Sequence, residues 1–131
     1  MAWRFSQDRP VFIQIGEQIK KAVVSGEYPP GAKIPTVRQI ALDAAVNPNT
    51  VQHAFSVLET EGIIISKGTL GKFVTEDKEI LKACRNKMAM RLTEEFLFNI
   101  KELGFSPDEA LTLIYTTNNS NNTTKEDTAD E

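Results

Sequence analysis

Asn49, Thr50, Gln52 and His53 fall within five consecutive positions and share one kind of chemistry. An asparagine or glutamine carboxamide can bond an adenine edge in two places, and a threonine methyl can pack on the methyl of thymine. A histidine can meet a phosphate, more strongly below its usual pKa of about 6.5. Segment 47–57 contains no Asp or Glu, so nothing in it repels a polyanion. Chemistry of other kinds has little to be built from. The chain holds one histidine, His53, and one cysteine, Cys84, thirty-one positions apart. Neither a nucleophile–base pair nor a metal cluster follows from them. No enzyme activity, metal or cofactor is expected, and a single cysteine excludes an internal disulfide.

The elements that would position these residues are legible. From Pro10 to Ser25, apolar residues at Phe12, Ile15, Ile19 and Val23 recur at helical spacing. Gly26 suits the left-handed residue that ends a helix. Tyr28-Pro29-Pro30-Gly31 reads as a turn, and Ala32-Lys33-Ile34 as an extended piece held out of helix by Pro35. Thr36-Val37-Arg38-Gln39 is a capping box that opens a short helix through Asp43. Ala44-Ala45-Val46 interrupts it. Asn47 caps a second helix with Pro48 in its first turn, and that helix runs to Gly62. Two short helices so spaced form a helix-turn-helix, whose second helix carries the residues named above. Ile63–Ser66 and Lys72–Thr75 then read as a hairpin around Lys67-Gly68-Thr69-Leu70-Gly71, which is a wing.

From Glu76 the period returns to helical. Ile80, Cys84, Met88, Leu92, Phe96 and Ile100 form a stripe on a helix of about 25 residues. Ser106-Pro107-Asp108-Glu109 is a second capping box, opening a short amphipathic helix that ends near Tyr115. Two helices with wide apolar faces want a partner, and a second copy of the chain is the simplest. Residues 116–131 are Thr, Asn, Ser, Asp and Glu with little else apolar to bury, which predicts a disordered polar and acidic tail. Three segments follow: a winged helix over 1–75, a dimerisation region over 76–115 and the tail over 116–131. The fold class is mainly α with one small β-hairpin.

The 131 residues carry a formal charge of −3. Residues 1–75 hold eight Lys and Arg against six Asp and Glu, a balance of +2, whereas 76–131 hold seven against twelve, a balance of −5. The less acidic half is the one with the helix-turn-helix. Neither a membrane span nor a signal peptide is evident, so a cytoplasmic location is expected.

The sequence resembles the GntR family of bacterial regulators. The resemblance rests on Pro10–Ile15, Ser25-Gly26-Glu27, Pro30–Ala41, Val46–Val51, Leu58–Gly62 and Gly71–Val74. The short remainder resembles the YtrA subfamily, whose C-terminal piece serves mainly to dimerise. The resemblance implies a homodimer on a palindromic operator in double-stranded DNA, usually a repressor. It also implies that Arg38 contacts DNA. Three departures stand out. Ala44-Ala45 replaces the family's usual Leu-Gly, which would cost roughly 1 kcal/mol if Ala45 must be left-handed. Gln52-His53 stands where basic residues are frequent, and the wing has lost one early charge while gaining Lys72.

The expected DNA-contacting residues are Arg38, Asn49, Thr50, Gln52, His53, Lys67, Gly68 and Lys72. Asn49 could serve instead as part of a helix cap, and Gly68 and Gly71 could be required by the hairpin alone. Lys20, Lys21 and Lys33 read as solvated charge. The expected dimerisation residues are Leu81, Cys84, Met88, Leu92, Phe96, Ile100 and Tyr115. A small-molecule effector between the helical arms is the competing role for that stripe. The competing reading for the whole chain is a winged-helix protein-interaction module without sequence-specific DNA binding.

Overall fold

The computed structural model describes the backbone of residues 1–129 and the side chains of residues 1–121. Five helices and one two-stranded sheet follow the order α1 (Val11–Val24), α2 (Val37–Ala44), α3 (Pro48–Thr60), β1 (Ile64–Ser66), β2 (Lys72–Val74), α4 (Lys78–Glu102) and α5 (Pro107–Ala129). A one-turn 3₁₀ segment, Gly68–Leu70, lies between the strands. The chain forms two compact units, residues 1–87 and residues 88 onward.

In the first unit α3 packs against α1, α2 and β1. Its core is aliphatic around one aromatic ring: Phe55, Ile15, Ile19, Leu58, Ile64, Val51 and Val74 are fully enclosed. The apolar positions of α1 and α3 recur every three or four residues, and burying that face is what makes helices this short stable. The strands pair antiparallel in the register Ile64 to Val74, Ile65 to Phe73 and Ser66 to Lys72. The Ala32–Ile34 segment borders the other edge of β2, with Ile34 N donating to Lys72 O at 3.0 Å and Val74 N to Ala32 O at 2.9 Å. That short stretch, extended because Pro35 follows it, anchors the hairpin to the helical core.

The first unit reaches past the sequence boundary at residue 75. Asp77 accepts from the backbone of Glu79 at 3.0 Å and begins α4. The first turns of α4 belong to the winged helix: a Cβ on Gly62 would meet Ile80 Cδ1 at 3.2 Å, and Cys84 is buried. Periodicity marks where a helix starts; it does not mark which neighbour a helix packs against.

The second unit contains the remainder of α4 and all of α5. Ser106 Oγ accepts from Glu109 N at 3.2 Å while Glu109 Oε1 accepts from Ser106 N at 3.0 Å, completing the capping box. Those bonds hold the Glu109 carboxyl below its ordinary pKa. The helix does not end near Tyr115 as expected. It continues through Ala129. A capped nucleus is already in place, and extending a helix costs far less than starting one. The final two positions of that tail, 130 and 131, lie outside the described residues.

Candidate nucleic-acid interface

Local chemistry sets the angle between α2 and α3. Thr36 Oγ1 accepts from Gln39 N at 3.1 Å and Gln39 Oε1 from Thr36 N at 2.8 Å, so both ends of the capping box are made. Ala45 ends α2 with φ 56° and ψ 48°, the left-handed conformation, and Val46 N returns to Ala41 O at 3.0 Å. Asn47 Oδ1 then accepts from Asn49 N at 2.8 Å and starts α3 on Pro48. The cap is therefore Asn47, and the Asn49 side chain is exposed.

One face of α3 buries Val51, Ala54, Phe55 and Leu58, leaving Asn49, Gln52, His53 and Ser56 on the surface, with Thr50 half-buried. The first turn holds no acid, and the positive end of the helix dipole suits it to an anion. His53 is not a freely rotating side chain. Its ring lies flat on Phe12 of α1, with centroids 3.7 Å apart and an interplanar angle of 11°. The imidazole is thus held in one plane against α1. Arg38, in the first turn of α2, is exposed.

The wing is more constrained than a flexible turn. Lys67 N donates to Gly71 O at 2.9 Å, and Leu70 N to Lys67 O at 3.1 Å. Gly68 has φ 59°, with nothing near the place where a Cβ would sit. Its requirement is conformational, and the open space also permits close approach by a partner. The Lys67 ammonium sits 4.6 Å from the centre of the Phe73 ring, and the residue is exposed. Lys72 is the other wing lysine expected at a phosphate. Its ammonium pairs with the Glu59 carboxylate on α3 and donates to Ser66 Oγ at 3.2 Å. Of the cations read as solvated, Lys20 pairs with Glu61 at 2.8 Å; Lys21 and Lys33 are exposed.

An ordered segment at the N-terminus went unread in the sequence. The buried Gln14 carboxamide accepts from Ser6 N at 2.8 Å and donates to Ser6 O and Arg9 O at 2.9 and 2.8 Å. Gln18, one turn later, donates to Arg4 O at 2.9 Å. Trp3 Nε1 reaches Asp43 Oδ2 on α2 at 2.9 Å. Two glutamines four apart, beside an apolar helical stripe, were the available signal that α1 holds a strap. A cavity of about 360 Å³ opens between Trp3, Tyr28, Gln39 and Asp43. Burial, followed by the Glu27 and Asp43 carboxylates, pushes the Tyr28 phenol above its ordinary pKa.

The residues expected at a dimer contact divide between the units. Cys84 is buried in the first unit, where burial pushes its thiol above the ordinary 9.0. Leu81, also in the first unit, is half-buried. In the second unit Met88 and Ile100 are half-buried, while Leu92, Phe96 and Tyr115 are exposed. Leu103, Leu111 and Ile114 add to that exposed apolar surface. Among the described residues no group of three or more His, Cys, Asp and Glu could hold a metal ion.

A helix-turn-helix joined directly to a hairpin defines a winged helix. Residues 13–74 match the family of bacterial regulatory proteins called the gntR family. The HTH-type transcriptional regulator YhcF of Bacillus subtilis (strain 168) is 36% identical over 113 residues, which cover 86% of this chain and 93% of that protein. The HTH-type transcriptional repressor YtrA of the same organism is 40% identical over 68 residues, 52% of each chain. A solved GntR family transcriptional regulator from Listeria monocytogenes superposes with a TM-score of 0.79 at 33% identity, covering 86% of this chain and 98% of its own. The chain belongs to the gntR family. It is a transcriptional regulator with that family's winged helix-turn-helix DNA-binding domain, in a family of regulators and not of enzymes.

Proposed function

We propose that this protein is a cytoplasmic, YtrA-like repressor that binds a palindromic operator as a homodimer. The observation that carries the reading is the exposed, acid-free start of α3, capped by Asn47, on a helix followed directly by the wing. Asn49, Thr50 and Gln52 lie on the surface that would enter a major groove, and the exposed Arg38 of α2 would hold the register on the backbone. His53 stacks one face of its ring on Phe12. Its role is then shape and orientation more than a swinging phosphate contact. Lys67 and Gly68 bring the wing to the backbone or adjacent minor groove.

Dimerisation is assigned to the second unit, through Met88, Leu92, Phe96, Ile100 and Tyr115. Large apolar side chains exposed this densely on one small unit mark an interaction surface. Two recognition helices then meet successive major grooves about 34 Å apart. Occupying a promoter site blocks transcription. No helix among the described residues is long and apolar enough to cross a membrane, which fits a cytoplasmic role.

Selection of bound sequences from a random duplex pool, with the full chain at moderate salt, tests this reading. An inverted repeat with half-sites one helical turn apart is the expected product. A pool that stays random would overturn it and favour a winged helix turned to a protein partner.

A further inference from the structure

Lysines in a wing are ordinarily counted as phosphate contacts, yet the two on this wing differ in what they touch. Lys67 is exposed, and its ammonium rests over one face of Phe73, which leaves its other directions open. The Lys72 side chain is three-quarters buried, its ammonium held by Glu59 of α3 and by Ser66 Oγ of β1 at 3.2 Å. Glu59 is similarly enclosed, with 29% of its side chain exposed. The pair spans thirteen positions of sequence and joins the recognition helix to the hairpin. A carboxylate and a phosphate compete for the same ammonium. An ion pair held partly out of water, with a hydroxyl completing it, is screened less than one on the open surface.

We propose that Glu59 is an internal stand-in for phosphate, which withdraws Lys72 from DNA and makes it a positioning residue for the wing. The wing's angle to α3 is then set before DNA arrives, and Lys67 is the wing lysine that neutralises the backbone. The assignment rests on the DNA-binding reading above. It goes beyond it by dividing two residues of one motif between two roles. Each phosphate contact releases condensed counterions, so the slope of log K against log salt counts them, at about 0.9 per contact. A residue that only holds structure leaves that slope alone.

The test is a salt titration of the wild type and three full-length variants on the selected duplex, with thermal melts to confirm folding. Lys67→Met should flatten the slope by about 0.9 per subunit. Lys72→Met should weaken binding while keeping the wild-type slope. Glu59→Gln keeps the shape of the site and frees Lys72, so it should steepen the slope by about 0.9 per subunit. A flatter slope for Lys72→Met, or an unchanged one for Glu59→Gln, would overturn the assignment and leave the DNA-binding reading intact. If the wild type binds no duplex at all, both readings fall together.

Discussion

At the scale of single residues, Ala45 is the position where the local rules are broken. It is the one non-glycine residue with positive φ among those described, and it sits in the turn that fixes α3 against α2. A side chain in the left-handed region costs about 1–2 kcal/mol, partly offset because glycine loses more entropy on folding. Ala45→Gly should therefore raise stability by about 1 kcal/mol. Urea unfolding with an unchanged slope and a higher midpoint is the expected result; a lower midpoint would show that the methyl group contributes packing that outweighs the strain. The neighbouring residues show what could be read without coordinates. Thr36, Gln39, Asn47 and Pro48 were legible because capping is settled within three residues of sequence. Glu59 and Lys72 were not, because thirteen positions and a reversal of the chain separate the partners. Nor was the Phe12–His53 stack, in which residues forty-one apart meet across two helices.

At the scale of elements, α1 does two jobs. One face supplies Ile15, Ile19, Ala22 and Val23 to the core, and the edge beside it grips the N-terminal segment through Gln14 and Gln18. Periodicity located the first face correctly and was blind to the second, since a glutamine scores as polar whether it faces water or backbone. Gln14 is 4% exposed with its carboxamide fully bonded, so its loss strands the groups it served. Gln14→Leu keeps the volume but removes every one of those bonds. A destabilisation of about 1–3 kcal/mol is expected in chemical denaturation. A change within about 0.5 kcal/mol would mean that the strap contributes nothing to the fold. The same contrast explains α5. Its start was readable from Ser106 and Glu109, whereas its end was not, because Thr- and Asn-rich sequence announces no stop of its own.

At the scale of the whole chain, the structure divides into two compact units between residues 87 and 88, whereas charge and periodicity set the expected border at residue 75. Cys84 lies on the apolar stripe of α4 and is buried within the first unit. A stripe of constant spacing gives no sign of where its function changes. The surface proposed for dimerisation begins at Met88, and Leu92, 60% exposed, is its cleanest probe. Leu92→Glu places a charge there, within the second unit. Sedimentation equilibrium should then report a monomer with unchanged helicity. Affinity for a duplex carrying both half-sites should fall by about 10²–10⁴, and affinity for a single half-site should stay as it was. A variant that still sediments as a dimer would move the interface off this stripe.

The bond from Trp3 to Asp43 has an optical consequence. The chain contains one tryptophan, and its indole stacks near Phe5 while its N–H is tied to the first helix of the helix-turn-helix. All of the protein's indole emission therefore originates beside Asp43 near the end of α2, in the lining of the cavity that Tyr28 and Gln39 share. The molecule carries its own lamp at one edge of the helix-turn-helix. What approaches that edge, whether a duplex or a small molecule, can be watched in the unlabelled protein by the colour and intensity of a single ring.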